Sequence, residues 1–311
     1  MRPFRFAAQV QSAETPDAWR ELARRTEASG YSTLYMPDHL GDQWGPLVAL
    51  TAAAEATTEL NVGSLVFDND YRHPVFLAKE IATLDLLSGG RVEFGLGAGW
   101  MRSDYDQSGL AMDSPGVRIE RMVEGLHIMK ALWRDGSCDF SGDHYKVTAA
   151  PGQPRPHSTP QPKIVIGGGG RRVLTIAGRE ADIVGFNAKL SSGEIGPAAA
   201  ATAVASEFHR RVDWVREAAA DRFESLELQC MAIMSMVVPN RSEVVEMLAP
   251  AFGLDASVVN DIPIVLIGTV DEICEALVRR RDEFGFSYWV VSGDAATVEA
   301  FAPVVARLAG T

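Results

Sequence analysis

Short apolar runs alternate along the chain with amphipathic stretches of helical period, the pattern of a parallel sheet wrapped by helices. The runs at 3–10 (PFRFAAQV), 32–37, 60–67 (LNVGSLVF), 91–99 (RVEFGLGAG), 163–167 (KIVIG), 181–186, 226–238 (LELQCMAIMSMVV) and 286–293 read as strands. Thr15-Pro16-Asp17 opens the first helix with an N-cap and a first-turn proline, and Gly30 closes it. Further helices are predicted over 44–58, 73–87 and 115–133, from 171, over 197–220, and up to about 308. Thr269 and Glu272 form a capping box for another helix, which ends at Gly285. Two insertions interrupt the alternation: a hairpin at 138–150 around Ser141-Gly142-Asp143, followed by a proline-rich connector, and a helical excursion at 241–262. Eight β/α units in 311 residues predict one TIM (β/α)8 barrel domain spanning 1–311. A doubly wound open sheet would want GxGxxG after its first strand, and here that strand ends Gln9-Val10-Gln11.

Composition narrows the class of function. With 47% hydrophobic and 23% charged residues the chain has the make-up of a folded globule. Twenty-nine basic against 41 acidic residues leave a net charge of -12, which opposes binding to nucleic acid. Cys138, Cys230 and Cys274 are odd in number and lack ligand spacing, so a reducing compartment is expected and structural zinc is not. With no long apolar run and no signal-like start, a cytoplasmic location away from membranes is expected.

In a TIM barrel the working residues sit at the C-terminal ends of the strands. Those ends carry Gln9 and Gln11, Asp38-His39, Ser64 to Asn69, Gly95 to Arg102, Gly167 to Gly170, Asn187, and Ser292-Gly293. None offers the His-x-His start of a metal-dependent barrel hydrolase, so no metal is expected. Gly167, Gly168, Gly169 and Gly170 join a strand to a helix, where free N–H groups beside Arg171 and Arg172 suit an anion better than they suit a plain turn. Gly97, Ala98 and Gly99 let a flat ligand approach the backbone, although glycine kinks at a barrel rim explain them almost as well. Asp38-His39 ends the second strand, with Trp44 beyond it.

The segments PDH (37–39), 60–100, PKIVIGGGG (162–170), GREADIVGFN (178–187) and 267–291 resemble the luciferase-like monooxygenase superfamily, most closely its actinobacterial branch of coenzyme F420-dependent oxidoreductases. The resemblance implies a deazaflavin ring across the barrel mouth, with Asp38 and His39 at its polar edges and Gly97 to Gly99 lining it. Its phosphate would lie at Gly167 to Gly170 with Arg171. The resemblance also places a non-prolyl cis peptide at Gly63-Ser64, behind the ring, and implies a homodimer, with the apolar helix around Leu47 to Leu50 a compatible surface. Sugar-phosphate dehydrogenases of this family carry a glutamate acid where this chain has Trp100, so an uncharged small substrate is expected, in a pocket formed by Gln9, Trp44, Trp100 and Asn187. His39 is the candidate proton donor or acceptor in a hydride transfer. Two other readings share the fold: an FMN-dependent monooxygenase, and a flavin-binding protein without catalysis.

Overall fold

The computed structural model describes residues 1–189, 201–252 and 255–311. Eight parallel strands close into a barrel: β1 (Arg5–Gln9), β2 (Thr33–Met36), β3 (Asn61–Asp68), β4 (Val92–Gly97), β7 (Lys163–Gly168), β8 (Ile183–Phe186), β9 (Glu227–Ala232) and β12 (Tyr288–Ser292). The first and last strands seal the ring, in register from Arg5 opposite Tyr288 to Gln9 opposite Ser292.

Local signals set the helix ends. Thr15 Oγ1 accepts from Ala18 N at the start of α1 (Pro16–Ala28), and Gly30 follows it with φ +85°. The Thr269 and Glu272 capping box forms at α10 (Val270–Phe284). The inserted hairpin pairs β5 (Ser137–Ser141) with β6 (Lys146–Pro151). Its turn is tied down by the Glu124 carboxylate, which accepts from the N–H groups of Asp143, His144 and Tyr145 at 2.8–3.0 Å.

The structure departs from the sequence pattern in four places. The apolar run 226–238 is two strands, because after Ala232 the chain leaves the wall and β10 (Met234–Val237) pairs with β11 (Val265–Gly268) in a separate parallel sheet. An unbroken apolar run cannot reveal where its partner changes. The excursion between these strands consists of α8 (Arg241–Phe252) and α9 (Ala256–Asp261). A short helix, α4 (Arg102–Ser108), occupies a stretch with no periodic signal. The second helix, α2 (Pro46–Ala56), begins late enough to leave Trp44 outside it, packed against Trp19 with ring centres 5.8 Å apart. Of the helix expected over 197–220, the structure shows α7 (Ala205–Ala219), and 197–200 lie outside the described residues.

The barrel is filled below and open above. Glu93 gathers Arg5 (2.5 Å), Tyr288 (2.8 Å) and Tyr35 on its carboxylate, while Arg5 also reaches Glu227 at 2.6 Å. Over this floor pack Ala7, Tyr35, Val165, Ile183, Tyr288 and Val290, with Leu65 and Met231 against them. Any site must therefore lie above that layer, at the C-terminal ends of the strands. Among the described residues no helix is long and apolar enough to cross a membrane.

Candidate functional site

A cavity of about 1040 Å³ opens at that end of the barrel. Its walls include Gln9, Asp38, His39, Trp100 and Asn187, together with Gly97 to Gly99 and Gly167 to Gly170.

The strand-end pair Asp38-His39 divides its labour. Both Asp38 oxygens are held by the Arg72 guanidinium at 2.5 and 3.0 Å, and one also accepts from Asp68 N at 3.1 Å. Asp38 thus ties the end of β2 to the end of β3 at the cavity edge. His39 instead directs its Nδ1 at Asp104 Oδ2, 2.6 Å away. Asp104 is buried on α4, its Oδ2 also accepts from the Tyr71 hydroxyl at 2.9 Å, and Leu40 N donates to its Oδ1 at 3.3 Å. A carboxylate at Nδ1 holds the proton there and leaves Nε2 as the nitrogen free to act. Trp100 meets the imidazole edge-on at 5.6 Å.

The cis peptide lies at Leu65-Val66, two residues beyond the expected Gly63-Ser64, with a break in register between Ser64 and Phe67. Gly63 sits in the sheet between Tyr35 and Glu93, and Ser64 Oγ donates to Met36 O at 2.9 Å, so both belong to the barrel wall. Leu65 and Val66 line the cavity in their stead. Gln9 braces this bulge by donating Nε2 to Leu65 O at 2.9 Å while its Oε1 accepts from Ser292 Oγ at 3.0 Å.

Asp68, at the end of β3, also faces the cavity. Burial, with the charges of Asp70 and Asp38 adding to it, pushes its carboxyl up to about 7, although Asp70 N donates to it. Its Oδ2 lies 3.2 Å from the Tyr105 hydroxyl, and both crowd Gly99, whose φ of +71° suits glycine alone. The buried Arg118 fixes this glycine turn by donating to the carbonyls of Ala98 (3.0 Å), Gly99 (3.2 Å) and Asp113 (2.6 Å).

Across the mouth, the four glycines run from β7 into α6 (Arg171–Glu180). Gly169 packs so closely on the Ala188 backbone that a Cβ would lie 2.5 Å from its carbonyl oxygen, whereas one on Gly170 would meet nothing within 4 Å. Arg171 is exposed, 3.4 Å from Glu217, and does not line the cavity; Arg172 does, and reaches Glu120 at 2.7 Å. Which of two adjacent helical residues faces a site turns by about 100° per position, so sequence without the helix start could not separate them. Asn187 donates its N–H to Gly168 O, and its buried Oδ1 has no partner among the described residues. Trp44 is also absent from the lining.

Sequence reasoning missed Asp104, which lies 65 residues from His39 on an unforeseen helix. It also missed an apolar wall made by Met231, Ile233, Met234, Ile262, Ile264 and Val265. The hydrophobicity of that last stretch was visible, but its place above the barrel depends on the β10–β11 pairing.

Residues 1–256 match the family model of the luciferase-like monooxygenases. The F420-dependent glucose-6-phosphate dehydrogenase of Amycolatopsis mediterranei (strain U-32) is 31% identical over 170 residues, 52% of this chain and 50% of that protein. The FMNH(2)-dependent dimethylsulfone monooxygenase of Pseudomonas putida is 27% identical over 184 residues, 56% and 50% respectively. The chain thus spans about half the length of each of these two relatives. The coenzyme F420 dependent tetrahydromethanopterin reductase from Methanopyrus kandleri shares the fold, with a TM-score of 0.76 at 18% identity over 98% of this chain and 99% of that one.

Proposed function

The chain belongs to the luciferase-like monooxygenase family, and from that membership and the cavity we propose that it is an F420-dependent oxidoreductase acting on a small, uncharged organic substrate. The observation that carries this reading is His39, buttressed at Nδ1 by Asp104, on a cavity wall shared with two glycine arcs.

The residues present fit a deazaflavin with a phosphate-bearing side chain. Gly97 to Gly99 and Gly167 to Gly170 offer walls free of side chains, space opens above Gly170, and the first-turn N–H groups of α6 suit an anion. Asn187 Oδ1, buried without a partner among the described residues, is able to accept a hydrogen bond. When bound, the deazaflavin supplies a carbon centre that gives or takes a hydride. His39 Nε2 passes the accompanying proton to or from the substrate, and Asp104 stabilises the imidazolium while that proton is held. Leu65 and Val66 press on the cavity from behind, and the apolar wall excludes water and selects an uncharged partner. Trp100 supplies no acid, which disfavours sugar-phosphate oxidation.

A homodimer is part of the proposal, supported by apolar residues that protrude from α2 (Pro46–Ala56) and α3 (Pro74–Leu87): Val48 is 80% and Phe76 68% exposed. The three buried, unpaired cysteines suit a reducing cytoplasm.

The test is a titration of F420 and FMN against intrinsic tryptophan fluorescence, followed by reduced F420 with a panel of enones, imines and nitroaromatics. Tighter binding of F420 and its oxidation by a member of the panel are expected. A clear preference for FMN would move the chain to the monooxygenase reading, and tight binding without turnover to a carrier role.

A further inference from the structure

One cation near the glycine arc has no part in the chemistry above. Arg211, on α7, is 1% exposed, and its Nε donates to Gly169 O at 3.1 Å. Its guanidinium has little else to hold it there. Glu207 stands 3.8 Å from Nη2, the Phe208 ring lies 5.0 Å from Cζ, and Nη1 is buried without a partner among the described residues. Desolvation lowers its pKa from the usual guanidinium value, against the opposing pull of Glu207. Burying a guanidinium for one backbone carbonyl, a loose ion pair and a ring contact is costly, and an apolar side chain would fill the space at less expense in solvation.

The carbonyl it grips explains the placement. The Gly169–Gly170 peptide is trans, so its N–H points opposite to its C=O. With the Gly169 oxygen turned onto Arg211, the Gly170 N–H is turned away from α7, at the very position where space is open and the cavity begins. Gly169 is wedged against Ala188 and cannot rotate freely, so the hydrogen bond fixes the peptide in one orientation. Polarisation of the carbonyl by a full positive charge also strengthens the N–H at its far end as a donor. We propose that Arg211 is a positioning residue, which orients and polarises the Gly169–Gly170 peptide so that the glycine arc binds the phosphate of a cofactor it does not itself touch.

The inference rests on the anion site of the preceding section and deepens it. Its test measures how much the phosphate contributes to binding, as the ratio of riboflavin to FMN dissociation constants and of phosphate-free deazaflavin to F420, in the parent protein, Arg211→Met, Arg211→Gln and Arg211→Lys. In the parent the phosphorylated ligands bind more tightly. Arg211→Met is expected to cut that preference by about tenfold, the scale of a charge-assisted hydrogen bond. Its affinity for the phosphate-free forms should stay within about twofold, since a general loosening of the fold would weaken both. Arg211→Lys restores part of the preference through its charge, and the uncharged Arg211→Gln answers the question should Arg211→Met fail to fold. An undiminished phosphate preference in folded Arg211→Met or Arg211→Gln overturns the role of Arg211 while leaving the anion site standing. No phosphate preference in the parent removes the site itself, and this inference with it.

Discussion

Replacing Asp68 by asparagine should stabilise the protein at alkaline pH, although it deletes a charge from the cavity wall. Asp68 is 6% exposed, and its carboxyl is raised from 3.8 to about 7 by burial first, with Asp70 and Asp38 adding to it. Between those two values the folded chain holds a proton that the unfolded chain has released, so stability falls as pH rises through the window and is flat above it. At about 1.4 kcal/mol per pH unit, the ceiling on this loss is about 4 kcal/mol. Water entering from the cavity reduces it, and a gap of about 2 kcal/mol is the working expectation. Asparagine mimics the protonated form, since its Oδ1 still accepts from Asp70 N. Its amide can donate to the Tyr105 oxygen, whose own hydroxyl lies 3.0 Å from Asp70 Oδ2. Urea denaturation of both proteins at about pH 5, 6, 7 and 8 isolates the effect, because every other titration cancels in the difference. The advantage of Asp68→Asn should grow with pH and level off above about 7. Parallel stability curves, or a variant that weakens further as pH rises, would refute the reasoning.

If His39 moves the proton, His39→Ala should lower single-turnover hydride transfer by about two to four powers of ten with little change in cofactor affinity; full-rate transfer would leave orientation alone as its role. Asp104→Asn should cost less, about tenfold in turnover, because the amide no longer stabilises an imidazolium. Gly169→Ala should destabilise the fold through its clash with Ala188, whereas Gly170→Asp should fold normally and weaken F420 binding by about tenfold or more, as thermal melts and fluorescence titration would establish. Glu93→Gln should cost about 3 kcal/mol in denaturant unfolding by leaving Arg5 short of its main partner in the barrel floor. Light scattering at micromolar concentration should give a dimer mass.

What could be read in advance was what neighbours in sequence decide. Thr15 caps α1 and Glu272 completes the box with Thr269 because each partner lies three residues away. All eight barrel strands were visible as apolar runs bounded by turn residues. The site was legible only as far as strand ends mark it, which brought Asp38, His39, Gly97 to Gly99 and Gly167 to Gly170 to the cavity. Asp104 reaches His39 from a seven-residue helix, and Arg211 reaches Gly169 across 42 residues, contacts that no local pattern encodes. Trp44 failed as a pocket residue because its apolar surface found Trp19 instead. The cis bond fell two residues late because the bulge follows the register between β3 and β4, a property of two strands together.

The apolar wall above the barrel comes from one continuous stretch of chain, from Met231 to Val265, while His39 and the two glycine arcs lie at the ends of β2, β4 and β7. Replacing only the cavity-facing side chains of that stretch would reshape one side of the mouth while leaving His39 and both glycine arcs as they are.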